Sequence, residues 1–316
     1  MSEPEIDRLI WLDGEFVAWR NATVHVLSHS LQRGSLVFDY MSVHDTPRGV
    51  CVFRLDRHVE RFFQSCRLVG LKLERSQDEI ASAILETVRR NPGATAVKAS
   101  AYLPSCEVDV VPQDDRVAVA LAAYDPYTDL VRGKPGVASR RPREVRLWIE
   151  KERRNRRADI MPPQAKVSAN YASPMVAKAK ARAAGYDEIV LVDEEGNVAE
   201  GPTTNLFLVD VDGLLVTPPP GQVLLGVTRA SVLELAKAEG IAAVEQSVTP
   251  DALQGAAEAF LTGTTAGIWP IASVDGEKLG NGEVGPVSRR LRDRLAAVSA
   301  GEDPEFLHWL APVQEA

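Results

Sequence analysis

Apolar positions recur at helical spacing in five stretches of the chain. Val59, Phe62, Phe63, Cys66 and Val69 line one face of a predicted helix, with Asp56 placed to cap its start and Gly70 to end it. Ile80, Ile84 and Val88 line a second, opened by the capping box Ser76-Gln77-Asp78-Glu79 and stopped by Asn91-Pro92-Gly93. Further helices are expected from Ser173-Pro174 to Gly185, with serine as cap and proline at the first helical position, over 229–239, and along Val287, Leu291, Leu295 and Val298. Short apolar runs predict strands at 96–102, 117–123, 145–149 and 188–193. Asp13-Gly14 joins strands 10–12 and 15–17 into a hairpin, and Asp212-Gly213 does the same for 205–209 and 214–217.

The pattern breaks once. Residues 124–139 hold two prolines, two glycines and no sustained apolar period. This predicts a smaller α+β domain over 1–124, an interdomain linker over 125–139 and a larger domain over 140–316, which suits a chain of 316 residues. The balance of 45 % hydrophobic and 25 % charged residues is that of an ordinary globular protein. No run approaches the roughly 18 apolar residues of a membrane span, so no membrane partner is expected. A formal charge of −8 supplies no global field for gathering nucleic acid. Cys51, Cys66 and Cys106 lie far apart without a C-x-x-C, which points away from zinc or a disulfide framework and toward a reducing compartment. The acidic start lacks an apolar stretch, so the expected location is the cytoplasm. His25, His29, His44, His58 and His308 show no metal-binding spacing, and G-x-S-x-G, P-loop and G-x-G-x-x-G motifs are absent. No metal is expected.

Candidate chemistry gathers in the second half. Lys166 sits in a small, mostly uncharged setting, Met161-Pro162-Pro163-Gln164-Ala165-Lys166-Val167-Ser168-Ala169-Asn170-Tyr171. A second segment is Ala199-Glu200-Gly201-Pro202-Thr203-Thr204-Asn205-Leu206-Phe207. A third feature is a pair of Gly/Thr turns, Leu225-Gly226-Val227-Thr228-Arg229 and Leu261-Thr262-Gly263-Thr264-Thr265-Ala266. Taken singly, a lysine of this kind is usually a solvated surface residue and a Gly-Thr pair just a turn.

In order and wording these segments resemble the class IV aminotransferases, the branched-chain and D-amino-acid aminotransferase family of fold type IV pyridoxal-phosphate enzymes. Residues 24–29, 53–62 and Val274-Asp275-Gly276 fit the same pattern, so the likeness spans nearly the whole chain. The resemblance implies an α/β fold of type IV, a larger C-terminal domain with a barrel-like sheet, and pyridoxal 5′-phosphate as cofactor. It implies a small-molecule amino donor, a 2-oxo acid acceptor, and a homodimer or higher homo-oligomer. Lys166 matches the family's catalytic, cofactor-bearing lysine, whose amine also shuttles the proton. Glu200, in the motif that includes Asn205, matches the glutamate that keeps the pyridine nitrogen protonated. Tyr171 matches the tyrosine that hydrogen-bonds the phenolic oxygen. Gly226, Val227 and Thr228 open a helix whose N–H groups and dipole suit a phosphate, and Gly263, Thr264 and Thr265 can add donors. Arg61, off the apolar stripe of its helix, matches the arginine that pairs with the phosphate.

The wording departs from the family at the substrate side. The branched-chain branch usually has Phe-Glu-Gly-x-Arg where this chain has Phe38-Asp39-Tyr40-Met41-Ser42, so Ser42 replaces the arginine, and Arg33 stands where a tyrosine is common. A later Arg-Pro is missing from Val97-Lys98-Ala99-Ser100-Ala101-Tyr102. Residues 38–43 and 53–56 look closer to the (R)-amine branch, whereas 24–29 look like the branched-chain branch. Phe38 and Met41 are candidate substrate-pocket walls or core residues, and Arg33 a carboxylate binder or a surface residue. Tyr127 resembles a substrate-contacting tyrosine, and Ala266 closes the last Gly/Thr turn. Residues 140–157 hold nine basic side chains in eighteen positions. Without interleaved aromatics this reads as a solvated rim that attracts carboxylates, not as a nucleic-acid patch. The favoured expectation is amino transfer from an apolar, branched-chain-like amino acid or amine to a 2-oxo acid by a ping-pong mechanism. The alternatives are D-amino-acid or (R)-amine transamination, and elimination of the aminodeoxychorismate lyase kind.

Overall fold

A computed structural model describes residues 6–132 and 142–313. They fall into two compact units, Met1–Arg141 with Ala165–Ala169 and Ser299–Ala316, and Pro142–Gln164 with Asn170–Val298. The second part of the expected linker, from 133, lies outside the described residues; its first part forms a single helical turn, Pro126–Val131.

The first unit runs β1 (Leu9–Leu12), β2 (Glu15–Ala18), α1 (His29–Arg33), β3 (Val37–Thr46), β4 (Gly49–Phe53), α2 (Leu55–Leu68), α3 (Gln77–Arg89), β5 (Ala96–Tyr102) and β6 (Ala118–Tyr124). All neighbours in its seven-stranded sheet are antiparallel, in the order terminal strand Leu310–Pro312, β4, β3, β5, β6, β1, β2. The hairpin and the capping box form as expected. Asp56 does not cap α2: it lies in the first turn, and Arg54 holds the cap at a left-handed φ of 48°. There the Arg54 guanidinium lies 4.3 Å from the centre of the Trp309 ring while the Arg54 main-chain N–H donates to Trp309 O. Residues 299–313 thus belong with the first unit, although the sequence placed them with the second. On β3 the side chains of Val37, Asp39, Met41 and Val43 point inward, toward α2. Phe38, Tyr40 and Ser42 share the other face with Ser100, Lys98 and Ala96 of β5, their cross-strand partners.

The second unit contains β7 (Val145–Glu150), α4 (Ala172–Ala183), β8 (Glu188–Leu191), β9 (Asn205–Val209), β10 (Leu215–Thr217), α5 (Val227–Ala238), β11 (Ala243–Glu245), α6 (Pro250–Gln254), β12 (Glu258–Gly263), β13 (Gly267–Val274), β14 (Glu277–Lys278) and α7 (Pro286–Ser299). A short helical turn, Ser168–Tyr171, leads into α4, so Ser173 is already helical and is not the cap. The mixed eight-stranded sheet follows the order β11-β10-β9-β12-β13-β7-β8, with β14 beside β13. Its two edges are joined by Val198, which bridges both to Val192, just after β8, and to Val248, just after β11. The sheet therefore curls into a barrel-like shell around Leu147, Val190, Leu206, Leu261 and Ile271. Among the described residues no helix is long and apolar enough to cross a membrane.

Candidate active site

In the first unit the site is built around the main chain of Lys166. Ala165 and Val167 are fully buried, so alternation turns the lysine side chain the other way, 4.9 Å from the centre of the Phe38 ring. The segment lies along the start of β3: Val37 bridges Val167, the Phe38 N–H donates to Lys166 O at 3.0 Å, and the Ser168 N–H donates to Leu36 O at 2.8 Å. Gly34 makes this approach possible, because it has a φ of 71° and an added Cβ would stand 3.2 Å from the Ala169 Cβ. From α2, Ser65 Oγ accepts the Lys166 N–H at 3.1 Å.

The same face of α2 carries His58 and Arg61, both buried. The Arg61 fork donates to both oxygens of Asp39, Nε to Oδ2 at 2.8 Å and Nη2 to Oδ1 at 2.7 Å. His58 Nδ1 donates to Asp39 Oδ1 at 2.7 Å. Burial by itself would raise the Asp39 carboxyl, but the charges and hydrogen bonds of Arg61 and His58 overcome that and hold it well below the usual carboxylate range. Burial pushes the His58 imidazole down, against the pull of Asp39.

In the second unit Glu200 follows the seam residue Val198, and its carbonyl accepts the Leu191 N–H. The side chain is 3 % exposed. Its Oε2 accepts from Asn205 Nδ2 at 3.0 Å, its Oε1 from Arg156 Nη1 at 3.0 Å, and both oxygens from the Leu224 N–H. Asn205 ties this carboxylate to the start of α5. Its Nδ2 also donates to Leu224 O, and its Oδ1 packs so closely on Gly226 that an added Cβ there would lie 2.0 Å away. The first N–H groups of α5, on Val227 and Thr228, have no intrahelical acceptor. Asn205 also faces Thr262 in the β9–β12 ladder, at whose end Gly263–Ala266 turns back into β13. Beside that turn the buried hydroxyls of Thr204 and Thr262 have no hydrogen-bond partner among the described residues. A fixed buried carboxylate, an open helix N-terminus and orphaned hydroxyls form a donor set fit for a cationic heterocycle bearing a phosphate.

The sequence profile described as amino-transferase class IV matches residues 36–274. The chain belongs to this family. The branched-chain-amino-acid aminotransferase of Pseudomonas aeruginosa is 34 % identical over 312 residues, which are 98 % of each chain. That of Escherichia coli K12 is 33 % identical, covering 97 % of each. A crystal structure of the T.th. branched-chain amino acid aminotransferase complexed with N-(5′-phosphopyridoxyl)-L-glutamate is similar with a TM-score of 0.89 and 35 % identity, covering 98 % of this chain and 99 % of that one. The protein is thus a class IV, fold type IV pyridoxal-phosphate aminotransferase.

Within this aminotransferase the expected residues fall into two groups. Glu200 and Gly226, which leads into Val227 and Thr228, meet Asn205 in the second unit; Gly263, Thr264, Thr265 and Ala266 form the turn that follows its ladder partner Thr262, and Tyr171 joins Glu200 through Arg156, whose guanidinium lies 5.5 Å from its ring. Lys166, Arg61 and Phe38 gather in the first unit. Arg33 and Tyr127 join neither group: Arg33 is exposed and donates to Val108 O, and Tyr127 is 47 % exposed. The sequence reading missed Asp39, His58, Ser65 and Arg156. His58, Arg61 and Ser65 recur at i, i+3 and i+7 on α2, a polar stripe whose spacing was readable. Arg156 was hidden in the basic stretch taken for a solvated rim. Its neighbours do face outward, Arg146 to Asp187 and Arg157 to Asp159, but Arg156 itself is turned inward with 8 % of its side chain exposed.

Proposed function

We propose that this aminotransferase moves the amino group of a branched-chain-like amino acid to a 2-oxo acid in a ping-pong cycle, with the cofactor held through Lys166. The observation that carries this reading is the convergence of Glu200, the start of α5 and the Gly263 turn on Asn205. The near full-length likeness to branched-chain enzymes supports the substrate class.

Bound pyridoxal phosphate supplies the electron sink that amino transfer requires. With it bound, Lys166 Nζ would serve as the base that takes the proton from the substrate Cα and passes it on. Glu200 would keep the ring nitrogen protonated, with Arg156 and Asn205 fixing its carboxylate. Tyr171 would donate to the phenolic oxygen. The Val227 and Thr228 N–H groups with Thr264 and Thr265 would hold the phosphate, and Arg61 is the residue of the first unit suited to pair with it.

Borohydride reduction of the holoenzyme should fix the cofactor on the peptide containing Lys166, and Lys166→Ala should abolish turnover with an unchanged circular dichroism spectrum. Label on another lysine, or retained turnover, would overturn the assignment. L-leucine should bleach the visible band of the holoenzyme; bleaching by D-alanine alone would move the reading to the D-amino-acid branch.

We also infer a cytoplasmic homodimer. Val24, Val26, Leu27 and Leu31 are exposed, as are Val108, Val110 and Val111. The two segments are tied together where His29 Nε2 donates to Val110 O at 2.8 Å and Arg33 to Val108 O at 2.9 Å. One contiguous apolar patch of this kind suits a second copy of the chain. Sedimentation should return twice the chain mass; a monomer at every concentration refutes the dimer. The free thiols of Cys51, Cys66 and Cys106 support the cytoplasmic location.

A further inference from the structure

Phe38 sits between two lysines. The Lys166 ammonium is 4.9 Å from its ring centre, and the Lys98 ammonium is 4.7 Å from the same centre. Lys98 reaches this position from β5, where it faces Tyr40 across the ladder and stands next to the pair formed by Phe38 and Ser100. Among the described residues no carboxylate and no hydrogen-bond acceptor meets the Lys98 ammonium, although the side chain is half-buried. Burial, and then the charge of Lys166, pushes its pKa below the ordinary lysine value. Lys98 is thus a partly buried cation beside a second ammonium, and its desolvation is uncompensated among the described residues. A ligand that brings a negative charge relieves it.

We propose that Lys98 is the residue that takes the substrate carboxylate, so that this enzyme selects amino acids and 2-oxo acids over bare amines. The assignment rests on Lys166 being the cofactor lysine. The amine of Lys166 works at the substrate Cα, and the α-carboxylate is one bond from that atom, so a cation neighbouring Lys166 meets it. The chain also needs such a cation. Ser42 stands where the branched-chain pattern has an arginine, the Arg-Pro is missing from 97–102, and the exposed Arg33 is engaged with Val108. Lys98 supplies a positive charge from within the stretch that lost one. It does so as a point charge on a flexible stem rather than as a planar fork.

The test compares substrates that differ only in the acid. Lys98→Met keeps the length and the apolar packing of the side chain. It should lower kcat/KM for L-leucine about 10- to 100-fold, the worth of one charge-assisted hydrogen bond, and leave isopentylamine unchanged. Lys98→Arg should restore most of the loss. A readout free of turnover is calorimetric titration of the holoenzyme with 4-methylvalerate and with its amide: the acid should weaken by the same factor and the amide should not move. Leucine and L-glutamate should fall together, because both carry the α-carboxylate; a loss for glutamate alone would place Lys98 at the distal acid and overturn the assignment. Equal loss for acid and amide, no loss for either, or a loosened cofactor with unchanged substrates would overturn the proposal. Failure of the underlying reading shows separately, as a borohydride label away from Lys166 in the unsubstituted enzyme.

Discussion

Asp39 in the first unit and Glu200 in the second are both buried carboxylates that meet an arginine, and they are held in opposite ways. Asp39 takes two bonds from the Arg61 fork and one from His58. Glu200 meets a guanidinium N–H of Arg156 at one oxygen and takes the neutral amide donors of Asn205 and Leu224 as well. The first arrangement spends the negative charge on aiming Arg61. The second brings neutral amide dipoles to the carboxylate beside the guanidinium, which suits the role proposed for Glu200 next to a cationic ring nitrogen. A buried acid–arginine pair is therefore not one device: what else the acid meets differs between the two.

The largest effect is expected on the architectural side. Asp39→Asn strands the Arg61 cation in the interior and should cost about 3–5 kcal/mol of stability, read as a lower urea midpoint. A loss under about 1 kcal/mol would break the contrast. Glu200→Gln keeps the shape but removes the charge. It should lower kcat about 10²- to 10³-fold with little change in urea midpoint. If stability fell as far as activity, Glu200 would be a structural acid like Asp39. The smallest effect is on pH dependence. Because the folded Asp39 titrates below its unfolded value, its contribution is fully present above about pH 4 and is lost as pH falls further. The acid limb of the stability curve should thus be shallower in Asp39→Asn than in the unsubstituted chain; parallel limbs would show that another group carries it.

Elements with a clean period were legible in the chain: α2, α3 and the first hairpin lie where spacing put them. Strand β3 was not, because Asp39 occupies an inward position among Val37, Met41 and Val43 and hides the alternation. The residues of the site were legible as motifs, but their supports were not. Asp39 meets Arg61 across 22 residues and Lys166 meets Ser65 across 101, and such pairings are decided by packing rather than by local order. Arg156 shows the same limit from the other side, since nothing in a run of arginines marks the one that turns inward.

Both main-chain groups of Lys166 are engaged, the N–H by an α2 hydroxyl and the carbonyl by a β3 amide. In the role proposed for Lys166, each catalytic cycle would detach the amine and bring it back. With its main chain tied at both groups, that excursion falls to the torsions of the side chain, and the strand and helix that hold its root need not move on the lysine's account.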